Sequence, residues 1–154
     1  MTAHSAQHAS FTIERIFDAP VALVFKAWAD VEAKARWFSA PVACTNVTRE
    51  QNFCIGGRDR LKATWPDGHV SDFNAEYRDI VPNERIVYVY DMYIDGVKIS
   101  VSLATVEFKP VGQGTKLTVT EQGAFLDGYD DAGSRERGTQ GLIDALEASL
   151  RPAT

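Results

Sequence analysis

Glu121 is the ionisable residue whose position in the sequence best suits it to chemistry. It follows Thr115, Leu117 and Val119 at intervals of two, and alternate residues of a strand face the same side of a sheet. A regular strand therefore places the carboxyl group among apolar side chains, where burial raises its pKa and suits it to general acid–base chemistry. The alternative is a bulge or strand end before Gly123 that turns Glu121 to solvent.

A row of large side chains on two predicted neighbouring strands is typical of an apolar pocket. Tyr88, Tyr90 and Met92 share one face of a strand, and Phe73 and Tyr77 share a face of the strand before it. Tyrosines supply both contact area and hydroxyl groups that orient a ligand. Ordinary packing in the core is the alternative interpretation of each of these residues.

The predicted ligand-binding residues are Trp37, Phe73, Tyr77, Tyr88, Tyr90, Met92, Glu121 and Phe125. For Trp37, as for Trp28 on the preceding helix, anchoring of the core is the alternative to ligand contact. Arg135 is expected to be solvated rather than to reach Glu121. Gly138 lies inside a predicted helix and therefore predicts a close approach of that helix to the sheet, unless the helix begins later.

Other kinds of catalytic or metal site find no support in the sequence. There is no Gly-x-Ser-x-Gly motif, and the lone His69 lies beside a predicted turn. Gly56-Gly57 lacks the Lys-Ser/Thr that follows in a phosphate-binding loop. Cys44 and Cys54 form no CxxC motif, and two reduced thiols are favoured over a bridge between them. No catalytic residue, metal or cofactor is predicted, so an enzyme is the less favoured class.

Charge and hydropathy exclude two classes of partner. The 154 residues include 16 basic and 21 acidic side chains, a net charge of −5, whereas phosphate backbones and anionic membranes attract an excess of Lys and Arg. No stretch approaches the roughly 20 apolar residues of a membrane span. The first ten residues have no apolar run typical of a secretion signal, so a cytoplasmic location is expected.

The elements that must position these residues follow from periodicity and turn signals. A strand over residues 11–17 precedes two short helices. Asp18 near the cap and Pro20 in the first turn signal the start of the first, and Asp30 is the predicted cap of the second. Turn signals then separate about six strands at spacings too short for parallel crossovers; they are Gly56-Gly57, Pro66-Asp67-Gly68, Pro82-Asn83-Glu84, Asp95-Gly96 and Gly112-Gln113-Gly114. A long helix begins between Asp127 and Ser134. Residues 1–9 are predicted to be a disordered leader, and residues 10–151 a single domain.

Eight ordered stretches of the chain resemble a known family. They are 17–20 (FDAP), 24–28 (VFKAW), 35–38 (ARWF), 55–58 (IGGR), 77–85 (YRDIVPNER), 114–117 (GTKL), 120–129 (TEQGAFLDGY) and 138–142 (GTQGL). This set resembles the SRPBCC (START/Bet v-like) helix-grip superfamily, and within it the family named after the activator of the heat-shock-protein-90 ATPase, as a bacterial single-domain member. The resemblance implies an α+β helix-grip fold, in which a curved antiparallel sheet of about seven strands wraps around a long C-terminal helix.

Two departures from the family bear on function. Relatives often carry an acidic and a basic residue before the double glycine, where this chain has Asn52 and Cys54. The chaperone-activating relatives also possess a separate amino-terminal domain. We therefore expect a monomer or homodimer that binds a small hydrophobic molecule between sheet and helix. The alternatives are a chaperone co-regulator and a cyclase- or hydrolase-like enzyme that uses Glu121.

Overall fold

The computed structural model describes residues 4–151, which form one seven-stranded antiparallel sheet and three helices. The strands are β1 (Ala6–Phe17), β2 (Thr45–Gln51), β3 (Arg58–Thr64), β4 (Val70–Val81), β5 (Arg85–Ile94), β6 (Val97–Val111) and β7 (Gly114–Leu126). The helices are α1 (Val21–Ala29), α2 (Val31–Ala35) and α3 (Ala132–Ser149). The predicted α+β helix-grip architecture is confirmed.

The strand order is β1-β7-β6-β5-β4-β3-β2, so the first strand pairs with the last. Strands β2 to β7 follow one another through short turns, which places each beside its predecessor. The chain leaves β1 at one edge of the sheet and must reach β2 at the other. Helices α1 and α2 make that connection, and they therefore lie across one end of the sheet.

Local signals place several element ends where the sequence predicts them. Asp95 and Gly96 have φ values of 51° and 78°, as a two-residue hairpin between paired Ile94 and Val97 requires. The Asp30 carboxylate accepts a hydrogen bond from the Ala33 amide at 2.9 Å and caps α2. Helix α3 begins within the predicted window. At α1, Pro20 occupies the cap position, one residue before the first turn in which the sequence predicts it, and no side chain of residues 4–151 caps this helix.

The double glycine brings the β2–β3 connection onto β4. Gly56 has φ of 85° and its amide donates to the Tyr77 carbonyl at 2.7 Å, while the Tyr77 amide donates to the Gly57 carbonyl at 2.9 Å. A Cβ atom at Gly57 would lie 2.0 Å from the Asn52 carbonyl oxygen. Any larger residue at this position would therefore collide with the backbone of the connection itself and distort it.

The hydrophobic core lies between the concave face of the sheet and the helices. Phe17, Leu117 and Val106 from the sheet are almost completely buried against Val24 of α1 and Leu146 of α3. Within residues 4–151, no helix is both long enough and apolar enough to cross a membrane.

The predicted disordered leader is wrong for residues 6–9, which form the start of β1. Ala6 to Ala9 pair with Leu126 to Gly123 of β7, and the Ser5 amide donates to the Asp127 carboxylate at 2.8 Å. Apolar periodicity misses this segment because backbone hydrogen bonds, rather than buried side chains, hold it to the sheet. Residues 1–3 of the predicted leader, and residues 152–154, lie outside the described residues.

Deletion of residues 1–9 should lower the melting temperature by several degrees, because it removes four residue pairs between β1 and β7. The double variant Gln7→Thr/His8→Thr is the control, because it changes two exposed side chains and keeps the backbone pairing of β1 with β7. Thermal unfolding of the three proteins tests the expectation. An unchanged melting temperature after the deletion would show that this end of β1 contributes nothing to stability.

Candidate functional site

A cavity of about 510 Å³ lies between the concave face of the sheet and helix α3. Three groups of residues line it: helical and loop residues at one end of the sheet, residues of the strands, and one face of α3. They are Trp28, Lys34, Trp37, Phe38, Ser39, Ala40, Pro41, Leu61, Ala63, Trp65, Ser71, Phe73, Tyr88, Tyr90, Met92, Ala104, Val119, Glu121, Arg135, Gly138, Thr139, Leu142 and Ile143. Most of these side chains are apolar or aromatic, and the charged ones are Lys34, Glu121 and Arg135.

The predicted row of large side chains forms the sheet wall of the cavity. Phe73 of β4 lies opposite Met92 of β5 in the sheet, and its ring centroid is 4.8 Å from that of Tyr90 and 6.5 Å from that of Tyr88. These four residues all line the cavity. Strand alternation alone is therefore enough to bring them to one surface.

Trp37 reaches the cavity from the segment that follows α2. Its indole nitrogen donates to the Ala27 carbonyl at 2.8 Å, and its ring centroid lies 4.7 Å from that of Trp28. Both tryptophans are only 5% exposed. They consequently serve as anchors of the core and as part of the cavity wall at the same time, so the two interpretations of the sequence do not exclude each other.

Two of the predicted site residues, Tyr77 and Phe125, lie outside the cavity wall. Tyr77 shares the strand face of Phe73, but it contacts polar groups at the buried end of the sheet, under α2. Phe125 is buried with its ring centroid 5.4 Å from the Arg135 guanidinium carbon. The Lys34 ammonium group donates to the Tyr77 hydroxyl at 3.4 Å, so Tyr77 supports Lys34 and Phe125 supports Arg135, both of which line the cavity.

Glu121 is buried on the cavity wall, as the alternation of β7 predicts. The Tyr90 hydroxyl donates a hydrogen bond to its Oε1, and the Arg135 guanidinium donates to the Tyr90 oxygen at 2.9 Å. Burial raises the pKa of the Glu121 carboxyl group, opposed by the Tyr90 hydrogen bond and the Arg135 charge. Burial and the Glu121 charge also raise the pKa of Tyr90, so Tyr90 remains a protonated donor.

The expectation that Arg135 is solvated is wrong. Its side chain is only 13% exposed, because it donates to Tyr90, to the Ser100 hydroxyl at 2.8 Å and to the Asp130 carboxylate at 3.0 Å. Helix α3 follows Asp130 directly and carries Arg135 over the sheet. Tyr90 and Ser100 are distant in sequence, and Asp130 lies ahead of the helix, so the periodicity of α3 does not reveal these acceptors.

A buried cluster at the α2 end of the cavity was not predicted from the sequence. The Lys34 ammonium group donates to Asp59 Oδ2, which also accepts a hydrogen bond from the Tyr77 hydroxyl at 2.8 Å. Lys34 and Asp59 are each 3% exposed, and burial lowers the pKa of Lys34 against the opposing effect of Asp59.

Two weak sequence signals could have identified this cluster. Asp59 alternates with Leu61 and Ala63, so it shares their face of β3. Lys34 precedes Trp37 and Phe38 by three and four residues, the spacing of one helical face. The Lys34 nitrogen lies 5.0 Å from the Phe38 ring centroid, so the cation is enclosed by the same aromatic side chains that form the cavity.

The prediction of a close approach at Gly138 is also wrong. A Cβ atom at this position would meet nothing within 4 Å, and the residue lies on the cavity wall. The helix begins at Ala132, so a late helix start does not explain the glycine either. Gly138 instead leaves space open beside α3.

The arrangement supports binding chemistry and a limited proton chemistry. Glu121 and Tyr90 can accept or donate hydrogen bonds to a molecule in the cavity, and a carboxyl group whose pKa is raised by burial is suited to proton transfer. Among residues 4–151, no group of three or more His, Cys, Asp or Glu side chains is placed to hold a metal ion. Cys44 is buried, Cys54 is exposed, and both thiols are free.

Glu121→Gln should change how stability depends on pH. Because the folded-state pKa of Glu121 lies above its ordinary value of 4.5, the folded protein binds this proton more tightly than the unfolded chain does. The associated stability is present below pH 4.5 and is lost as the pH rises through the folded-state pKa. The unfolding free energy of the variant minus that of the wild type should therefore increase with pH.

Urea unfolding at several pH values from 4 to 8 measures this difference, and Glu84→Gln in the exposed β4–β5 turn serves as the control. A difference for Glu121→Gln that stays constant or decreases with pH would contradict a raised pKa for this carboxyl group.

Asp59→Leu should destabilise the protein by about 3–5 kcal/mol, because it leaves the buried Lys34 charge without its partner. The double variant Lys34→Met/Asp59→Leu removes both charges and should lose less stability than the single variant. Chemical unfolding of both proteins tests this order. Equal losses of unfolding free energy in the two variants would show that Asp59 does not stabilise the buried charge of Lys34.

Comparison with known proteins agrees with this architecture. The profile of the family described as Activator of Hsp90 ATPase homolog 1-like protein matches residues 18–151. No curated protein matches the chain in sequence. A solved protein of Rhizobium leguminosarum is 44% identical, with a TM-score of 0.92 over 97% of this chain and 98% of its own.

Two further solved structures are similar. A protein of Rhizobium loti is 42% identical, with a TM-score of 0.88 over 95% of this chain and 99% of its own. An AHSA1-like protein of Aeromonas hydrophila is 22% identical, with a TM-score of 0.70 over 92% of each chain, and shows the fold alone. The family match over residues 18–151 confirms the resemblance carried by the eight sequence stretches: the chain belongs to the Activator of Hsp90 ATPase homolog 1-like family of the SRPBCC superfamily.

Proposed function

We propose that this protein binds a small, largely apolar molecule in the cavity between the sheet and α3. The observation that carries the proposal is the cavity itself, about 510 Å³ in the position where a domain of this size normally packs side chains. Space of this size lies within the range of small-molecule sites and is lined mainly by apolar and aromatic groups.

The walls of the cavity support occupancy by a ligand of mixed character. Apolar rings such as Phe73 and Trp37 offer contact area, while Tyr90, Glu121 and Arg135 form a compact polar group on the same surface. Ligand sites are commonly apolar surfaces that carry a small number of polar groups, and those polar groups orient the ligand. Membership in the family supports small-molecule binding in general terms.

The chaperone co-regulator suggested by the family name is the competing function. Such a role would use an exposed surface and would not require the cavity to remain open. A perturbation confined to the cavity therefore distinguishes the two functions.

Gly138→Leu should abolish or weaken binding of an apolar fluorophore without loss of stability. The added side chain enters open space at the cavity wall, and replacement of a helical glycine adds roughly 1 kcal/mol of helix propensity. We expect saturable binding at one site per wild-type chain and an affinity at least about tenfold weaker in the variant.

Gly141→Leu is a matched control for this experiment. Gly141 lies in the same helix, and a Cβ atom there would also meet nothing within 4 Å, but the residue is not part of the cavity wall. Fluorescence titration and thermal unfolding of the three proteins complete the test. Absence of saturable wild-type binding, or equal affinities of the two variants, would overturn the proposal and favour the chaperone alternative.

A further inference from the structure

The hydrogen-bond directions at Glu121 are determined by Arg135. A guanidinium group only donates, so the Tyr90 oxygen accepts from Arg135 at 2.9 Å and its own proton is free to bind Glu121 Oε1. Oε1 is therefore occupied as an acceptor. If the carboxyl group carries a proton, that proton lies on Oε2.

Oε2 of Glu121 is buried and has no hydrogen-bond partner among residues 4–151. The residue as a whole is 5% exposed and lines the cavity. Buried polar atoms in folded proteins nearly always have a partner. Oε2 belongs to a side chain that lines the cavity but has almost no accessible surface of its own, so a ligand that shifts the neighbouring side chains slightly would have to supply its partner.

The remaining charges at the cavity are already paired. Lys34 binds Asp59, and Arg135 binds Asp130. Among the described residues that line the cavity, these two are the only cations. An anionic ligand would therefore find no unpaired cation on the wall, and it would be repelled by Glu121 whenever that group is ionised.

We propose that the ligand is an uncharged molecule with an apolar body and a hydroxyl group, an alcohol or a phenol, which binds Oε2 of Glu121. A hydroxyl group donates to an ionised carboxylate and accepts from a protonated carboxyl group, so it satisfies Oε2 in both states. A hydrocarbon leaves Oε2 without a partner in either state, and a carboxylate, which only accepts, satisfies Oε2 only when Glu121 is protonated. This inference rests on the proposed function of the same cavity.

Three naphthalenes of similar size test the inference: 2-naphthol, 2-methylnaphthalene and 2-naphthoate. Their affinities for the wild-type protein at pH 7 can be measured by displacement of the apolar fluorophore. We expect 2-naphthol to bind about tenfold more tightly than 2-methylnaphthalene, in the range of one good hydrogen bond. The carboxylate 2-naphthoate should bind most weakly, because its charge would lose water in an apolar cavity whose cations are already paired.

Glu121→Gln should change this order in a specific way. The glutamine oxygen can still accept from Tyr90, while its NH₂ group replaces Oε2 as a donor. The variant should therefore bind 2-naphthoate more tightly than the wild type does. The difference between the affinities for 2-naphthol and 2-naphthoate should be smaller in the variant than in the wild type. Glu84 is not part of the cavity wall, so Glu84→Gln should leave all three affinities unchanged. Thermal unfolding checks that both variants are folded.

Each outcome decides one question. Equal binding of 2-naphthol and 2-methylnaphthalene would overturn the hydroxyl inference and leave the cavity as an apolar site. Binding of 2-naphthoate as tight as that of 2-naphthol, unaffected by Glu121→Gln, would also overturn it. If neither the fluorophore nor any naphthalene binds the folded wild-type protein, the proposed function fails together with the inference.

Discussion

The structure depends on a mismatch of width between a seven-stranded sheet and the single long helix on its concave face. Seven strands spaced about 4.8 Å apart span about 29 Å, whereas one helix with its side chains is about 10–12 Å wide. Curvature of the sheet reduces the difference, and α1 and α2 cover one end. Space still remains beside α3, and the cavity occupies it.

Polar tethers, as well as apolar contacts, hold the helices around that space. Lys34 connects α2 to Asp59 of β3, and Arg135 connects α3 to Tyr90 and Ser100 of the sheet. Buried ion pairs contribute little net stability because desolvation offsets their attraction. Their defined geometry nevertheless favours one position for each helix, and therefore one shape for the cavity between them.

The family and the function rest on different observations. The match over residues 18–151 establishes the family, and two rhizobial proteins that are 42–44% identical over nearly their full lengths share the fold. A fold of this kind accommodates many activities. A ligand is consequently inferred from this chain's own cavity, from its aromatic wall and from the free oxygen of Glu121.

Local patterns in the sequence determined the strands, their turns and the side of the sheet on which each residue lies. Alternation was sufficient to place Glu121 with Tyr88 and Tyr90 on the concave face, and Asp95-Gly96 was sufficient for a hairpin. These features depend on neighbours within a few residues, and the backbone geometry of a strand or turn follows from such neighbours directly.

Only the tertiary structure decided which of those residues reach the cavity and which charges are buried. Arg135 leaves solvent because Tyr90, Ser100 and Asp130 converge on it, and Lys34 is buried because Asp59 lies across from it. Such burial depends on whether distant partners compensate for desolvation. That balance is settled by the packing of whole elements, so no local periodicity in the sequence records it.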